Sequence, residues 1–395
     1  MDDDADYLAV ESTVAESIDG RNTATWEHED LAQVRIKVFR GHADSVNSCC
    51  YVDDDTKILS ASSDGSVRIW DAENGDVKHS YSHGGIVSKA YPNDNGKRFV
   101  SSGWDKHVKV WDVESGNILW SGSHAGIVTC CKFSHDGKLV ISGSDLDNTL
   151  KVWDANSGDL LYNMDDIHVS TITSCIFAPE DDKVITTSMD RSAKFLDLRN
   201  EKVTLSLEGH INIVADCDIS FDERKFATAS WDKSVKIWDV ATGGYRSKGP
   251  GSLEGSHEGS VSSCHFSNDG LMLVTGSYDS TIVVWDVDNR IQKLKLQGHD
   301  DWIEDVCFSS DTSMVLSASR DRTIRMWNIG DSDKIPMVLE RRKAIGLQII
   351  RCSVCGKPFS LTQMESFRDN TVCVFCRLKN REKTMVEIMN IVDEQ

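Results

Sequence analysis

One register of residues returns seven times between positions 42 and 328, and nothing else in the chain restricts its fold as tightly. Each copy closes on a large residue followed by a small polar one: Trp70-Asp71, Trp111-Asp112, Trp153-Asp154, Leu196-Asp197, Trp238-Asp239, Trp285-Asp286 and Trp327-Asn328. Successive pairs lie 41, 42, 43, 42, 47 and 42 residues apart. A His stands 28 residues before the closing position in six copies and 29 in the third: His42, His83, His124, His168, His210, His257 and His299. An Asp precedes it by six residues every time, at Asp64, Asp105, Asp147, Asp190, Asp232, Asp279 and Asp321. A period of about 40–45 residues marks one supersecondary unit, repeated so that each copy buries its apolar surface against its neighbours.

The sixth copy, 257–286, shows what that unit is. Three runs rich in β-branched and apolar residues are separated by Asn268-Asp269-Gly270 and by Tyr278-Asp279-Ser280, both turn signals. A fourth run follows at Arg290–Leu296, giving a four-stranded antiparallel meander. The register, the His start and the Trp-Asp end resemble the WD40-repeat family over roughly residues 34–329. The resemblance implies an all-β chain whose residues 31–330 form a seven-bladed propeller. Val34–Phe39, just before the first copy, alternates like a strand. In the family such an N-terminal strand completes the last blade, which removes the open edges of the sheet.

The resemblance also assigns the recurring polar residues to buried hydrogen-bonded chains of His, Ser or Thr, Asp and Trp. The sets are His42, Ser60, Asp64, Trp70; His83, Ser101, Asp105, Trp111; and His210, Thr228, Asp232, Trp238. His257, Thr275, Asp279, Trp285 and His299, Ser317, Asp321, Trp327 repeat them. Repeated Ser-His-Asp sets read as structure, since a catalytic triad has no reason to occur once per blade. Without a phosphate-cradling loop, an open metal site or an isolated nucleophile-base set, no enzymatic activity is expected. Two copies depart from the pattern: Leu196 replaces the fourth Trp, and the third copy has Gly143 at the hydroxyl position with an extra residue in Ser144-Asp145-Leu146-Asp147. Both blades are expected to be locally weaker.

Charge divides the chain into three. The net charge is −20; residues 1–30 hold ten acids and one base, a composition that predicts a solvated, disordered tail. Residues 341–395 reverse the sign, with ten bases and six acids. The propeller itself stays acidic, which disfavours phosphate-backbone binding by its faces. No run approaches the ~20 apolar residues of a membrane span, and Met1-Asp2-Asp3-Asp4 is unlike a signal peptide. A cytoplasmic or nuclear protein, monomeric by itself, is expected. Of the twelve cysteines, Cys49, Cys130, Cys131, Cys175, Cys217, Cys264 and Cys307 recur six to eight residues after the repeat His. They read as small core residues rather than disulfide halves.

Residues 331–395 carry a second signal. Cys352-x2-Cys355 and Cys373-x2-Cys376 lie 17 residues apart, within the spacing of a structural zinc site. Four thiolates would close a tetrahedron around one zinc ion and leave no position for substrate; a redox Cys-x-x-Cys or free thiols are the alternatives. The module is expected over about 349–380, followed by a short amphipathic helix with Leu378, Met385, Ile388, Met389 and Val392 at helical spacing. Arg341, Arg342 and Lys343 precede it, and Arg377, Lys379, Arg381 and Lys383 follow. Such bases suit RNA, an acidic protein face, or simply a solvated helix end.

Function is then expected on the faces of the ring. By resemblance, the top face carries the residues before each turn Asp and those just after each repeat His. There the chain places Trp104, Met189, Trp231, Tyr278 and Arg320, with Ile127, Ile211 and Trp302 beside them. These are types enriched at protein interfaces, although some rings could merely cap blade seams. A partner peptide held by the rings, with Arg320 on a carboxylate, is the reading they favour. On the opposite face, Asp197-Leu198-Arg199 resembles the box by which substrate receptors dock on the cullin-4 ubiquitin ligase adaptor, with Leu196 in place of the Trp. The main expectation is a protein-binding scaffold; a ligase substrate receptor or an RNA-associated factor acting through the zinc module are the alternatives.

Overall fold

The computed structural model describes residues 26–29, 34–240, 251–330, 349–351 and 358–360. Within them every regular element is a strand. In the first blade Val46–Val52, Lys57–Ser62, Ser66–Asp71 and Val77–Ser82 are neighbours in that order, here lettered a to d. Five further meanders repeat it, beginning at Val87–Pro92, Val128–Phe133, Ile172–Phe177, Val214–Ile219 and Val261–Phe266.

The seventh blade takes only three strands from its own repeat, Ile303–Phe308, Met314–Ser319 and Thr323–Asn328. Val34–Arg40 supplies the fourth, antiparallel, with Arg35 opposite Asn328 and Arg40 opposite Thr323. Ring closure therefore joins the two ends of the repeat array. One apolar cluster crosses the junction, packing Phe39, Cys49 and Trp70 with Cys307, Leu316 and Met326. A fifth strand, Trp26–Glu29, pairs outside Val34–Arg40. It falls within the stretch expected to be a solvated tail; residues 1–25 lie outside the described residues.

Burial explains why the b strands read as continuous apolar runs. All seven are buried at every position after the first, because a blade covers each face. The d strands lie at the circumference and alternate or stay polar, as in Val77–Ser82. Each a strand carries a bulge at its second residue, where the a–b register shifts. The extra residue turns toward the next blade. Thr173 Oγ1 donates to Val214 O at 2.6 Å, Ser262 Oγ to Ile303 O at 2.6 Å, and Asn47 Nδ2 to Val87 O at 2.7 Å.

The described cysteines are free and buried, all in a strands. Their small side chains suit walls where neighbouring blades converge. Burial pushes the Cys131 thiol up to about 12. No helix among the described residues is long and apolar enough to cross a membrane.

Candidate functional site

The polar chains come first, because they shape the loops of one face. Trp70 Nε1 donates to Ser60 Oγ at 2.8 Å, and Ser60 Oγ lies 2.8 Å from His42 Nε2. His42 Nδ1 then reaches Asp64 at 2.9 Å. One consistent assignment runs indole N–H to hydroxyl, hydroxyl to imidazole, and imidazole N–H to carboxylate. Blades five and seven repeat it through His210 and His299. In blade two the ring is turned over, so that His83 Nδ1 meets Ser101 and Nε2 meets Asp105. In blade six His257 Nε2 meets Thr275 at 2.8 Å, but Nδ1 lies 3.4 Å from Asp279. The fourth blade keeps His168, Thr186 and Asp190 and lacks the indole donor, with Leu196 in its place.

Electrostatics follow from that geometry. Burial lowers the basicity of His83 and His124 to about 4, and shifts His42, His210 and His299 the same way. Burial alone would raise Asp64, but bonds from Ser66, Ala43 N and His42 outweigh it and hold the carboxyl well below its ordinary range. These aspartates anchor the loop that follows each His: Ala43 N, Ile211 N and Glu258 N all donate to them.

The third blade corrects the sequence reading. Its hydroxyl comes from Ser142, which contacts His124 Nε2 at 2.7 Å and accepts from Trp153 Nε1 at 2.8 Å. Gly143 lies beside it against the fourth blade, where a Cβ would come within 2.8 Å of Cys130 Sγ and Ile172 Cγ2. The hydroxyl is thus Ser142 rather than position 143, while the extra residue lies in the b–c turn, within Ser144–Asp147.

Connectivity defines the two faces: d–a loops and b–c turns share one, a–b and c–d turns the other. On the first face one backbone bond recurs in all seven blades. The rim residue donates its N–H to the carbonyl three residues after the His: Ser63 to Ser45, Trp104 to Ile86, Asp145 to Ile127, Met189 to Thr171, Trp231 to Ile213, Tyr278 to Ser260 and Arg320 to Trp302. In the third blade that position belongs to Asp145; Leu146 is displaced and 74% exposed.

These rim residues surround a cavity of about 820 Å³ along the axis, lined at its mouth by Trp104, Ile127, Met189, Trp231, Tyr278 and Arg320. Trp302 and Ile211 lie outside its lining, both exposed. Trp104 is 55% exposed. Across blades five to seven the rings form a row: Trp231 and Tyr278 with centroids 6.0 Å apart, then Tyr278 stacked on Trp302 at 4.6 Å. Trp231 Nε1 is buried without a hydrogen-bond partner.

Arg320 is not the free cation expected for a partner's carboxylate. Its guanidinium lies 4.6 Å over Trp302, and Nε is 3.4 Å from Glu304 Oε1. Tyr278 Oη donates to Glu304 Oε2 at 3.4 Å. Glu304 was not singled out in the sequence; it occupies the bulge position where other blades have Asn47, Thr129, Thr173 or Ser262. A carboxylate at a position that is uncharged in the six other repeats was the available signal. Deeper in the channel Lys89 Nζ lies 3.1 Å from Asp305, whose carboxylate also accepts from Ser263 Oγ at 2.9 Å.

On the opposite face Arg199 is exposed, and Asp197 accepts the N–H groups of Arg199 and Asn200. Cys352, Cys355, Cys373 and Cys376 lie outside the described residues, as does the stretch expected to form a C-terminal helix. No group of His, Cys, Asp and Glu suited to a metal occurs among the described residues.

A closed ring of seven meanders, stitched by His-Ser/Thr-Trp chains, defines the class of repeat propellers. The chain belongs to the WD40-repeat family: the model of the WD domain, G-beta repeat, matches residues 33–71, 75–112, 117–154, 201–239, 251–286 and 290–328. The unmatched blade is the fourth, with Leu196. Over 362 residues the chain is 45% identical to human WD repeat-containing protein 88, covering 90% of this chain and 77% of that protein. A 52-residue stretch is 40% identical to WD40 repeat-containing protein smu1 of Dictyostelium discoideum, covering 13% of this chain and 10% of that one. Propellers of this family are generally protein-interaction scaffolds without catalytic activity.

Proposed function

We propose that this protein is a non-enzymatic intracellular scaffold whose top mouth holds an extended or turn-forming peptide of a partner protein. The observation that carries the reading is the aromatic rim. Trp104 stands largely in water, while Trp231, Tyr278 and Trp302 make a continuous row beside an 820 Å³ cavity. Large rings kept near solvent are typical anchors for a partner. With Arg320 already paired to Glu304, recognition rests on rings and backbone more than on a partner's acid. Truncating anchors costs ~2 kcal/mol or more, roughly thirtyfold in affinity. Trp104→Ala/Trp231→Ala should lose most co-purifying partners and melt within a few degrees of wild type. An unchanged set of partners with an intact fold would refute the reading.

The C-terminal module is proposed as a second contact site, held by one structural zinc ion on Cys352, Cys355, Cys373 and Cys376. Ile349–Arg351 pairs with Pro358–Ser360, so a hairpin brackets the Cys352-x2-Cys355 pair as a zinc knuckle requires. A second reading, ligase docking, is favoured by one feature: Arg199 is exposed beside a turn already satisfied by Asp197. Loss of a copurifying ligase adaptor in Arg199→Ala, at unchanged stability, is its test. RNA binding by the module predicts crosslinking that disappears when 341–395 are removed and weakens steeply with salt.

A further inference from the structure

The underside of the ring carries its own surface. The seven a–b turns, residues 53–56, 93–97, 134–138, 178–182, 220–224, 267–271 and 309–313, hold twelve Asp or Glu against three Lys or Arg. They touch one another around the axis. His135 N donates to Asp181 at 2.9 Å, Glu180 N to Glu223 at 3.3 Å, Asn268 Nδ2 to Ser310 O at 2.9 Å, and Ser310 N to Asp55 at 2.7 Å. Inside this ring of turns lies a cavity of about 290 Å³. Its apolar wall is Phe133, Ile176, Phe177, Pro179, Ile219 and Phe221, and Phe221 is 77% exposed. Lys132, His135, His265, Asp94 and Asp218 are among the polar residues that line it. An apolar hollow inside a carboxylate ring calls for a ligand with apolar side chains set among cations.

The C-terminal end of the propeller leaves from this face, whereas Trp26–Glu29 carries the N-terminal end back up the blade, with Trp26 opposite Lys37. Arg35 lies opposite Asn328, and Ile329 N donates to Ser313 O, in the a–b turn of blade seven, at 2.8 Å. The N-terminal stretch shares the sign of the ring, with ten acids and one base in residues 1–30. The C-terminal stretch opposes it: Arg377, Lys379, Arg381 and Lys383 run beside Leu378, Met385, Ile388 and Met389. Reach is no obstacle. The c strand of blade seven stands two strand spacings, about 10 Å, from the innermost strand. Residues 331–348 alone can span roughly 60 Å when extended.

We propose that residues 377–392 dock onto the underside of their own propeller, apolar side chains entering the Phe133–Phe177–Phe221 hollow and cations facing the carboxylates of the a–b turns.

Zero-length carbodiimide crosslinking of the full chain at low salt, followed by mass spectrometry of the monomer band, tests this. Lys379 or Lys383 should link to a–b-turn carboxylates such as Asp94 and Glu223. Phe221→Glu, at an exposed position, should cut those links by roughly tenfold, the loss expected when one buried aromatic contact is removed. Arg377→Ser/Arg381→Ser, outside the propeller, should cut them too while keeping both reporter lysines. Links confined to a dimer band would assign the contact to a second copy and overturn the proposal. So would links insensitive to both variants, or none from lysines that still accept an amine-reactive label.

Discussion

Ser142 lies 2.7 Å from Nε2 of His124, eighteen residues along the chain, the same separation that joins Ser60 to His42 and Thr228 to His210. The third repeat keeps its hydroxyl and carries its extra residue in the turn beyond it. That turn leaves two buried atoms without partners, Ser144 Oγ and Asp147 Oδ1. In blade one the equivalent Ser62 Oγ accepts Asp64 N at 3.1 Å, and His42 meets Asp64 at 2.9 Å.

Deleting Leu146 should restore the common turn length and raise the melting temperature. Each orphaned buried polar atom costs ~1–3 kcal/mol, so a gain of several degrees is expected by differential scanning fluorimetry. A lower melting temperature would mean that the insertion is stabilised by contacts of its own.

Thr228→Val removes the hydroxyl between Trp238 Nε1 and His210 Nε2 at nearly constant volume. Two buried groups lose a partner, and destabilisation of about 2–4 kcal/mol is expected. Thr186→Val should cost less, because Leu196 offers no indole to strand. Equal denaturant midpoints for the two variants would contradict the ranking.

Stability should fall with acidification in two stages. A histidine whose folded pKa lies below its unfolded value of about 6.5 is protonated more readily in the unfolded chain. Its contribution is complete above about 6.5 and is lost as the pH falls toward about 4, the value for His83 and His124. Each such group gives a slope of about 1.4 kcal/mol per pH unit within that window. Asp64, Asp190 and Asp321 are held below the ordinary carboxylate range, so their contribution persists to lower pH and disappears below about 4. Melting temperatures measured from neutral pH downward should therefore decline before the loop aspartates Asp64, Asp190 and Asp321 titrate; a flat profile down to about pH 4.5 would exclude buried neutral histidines.

Purified under reducing conditions without chelator, the full chain should carry one zinc ion by inductively coupled plasma mass spectrometry. Cys352→Ser/Cys376→Ser should lose it while the propeller's melting transition persists, because the cysteines lie beyond the closing strand at Thr323–Asn328. Metal-free wild-type protein would remove the zinc assignment.

Seven blades, the four-stranded meander, the closing strand and the polar chains were legible in the chain itself. Each depends on short, fixed separations along the backbone: 18 residues from His to hydroxyl in every blade, and 10 from hydroxyl to Trp in five of them. Hydrogen-bond registers translate such separations directly into geometry. Counting four residues back from the turn Asp147 misplaces the third hydroxyl at Gly143, because the inserted residue shifts the count from that side and not from His124. What the rim and underside became was decided by the tertiary structure. Arg320 meets Glu304 and Trp302 because a bulge and a loop converge on it, and Tyr278 reaches the same carboxylate from the neighbouring blade. The twelve acids of the a–b turns likewise become one ring only when closure brings Ser310 against Asp55. Contacts between successive blades join positions about one repeat apart, but the closing contact spans 255 residues, and no local spacing encodes the partner that closure delivers.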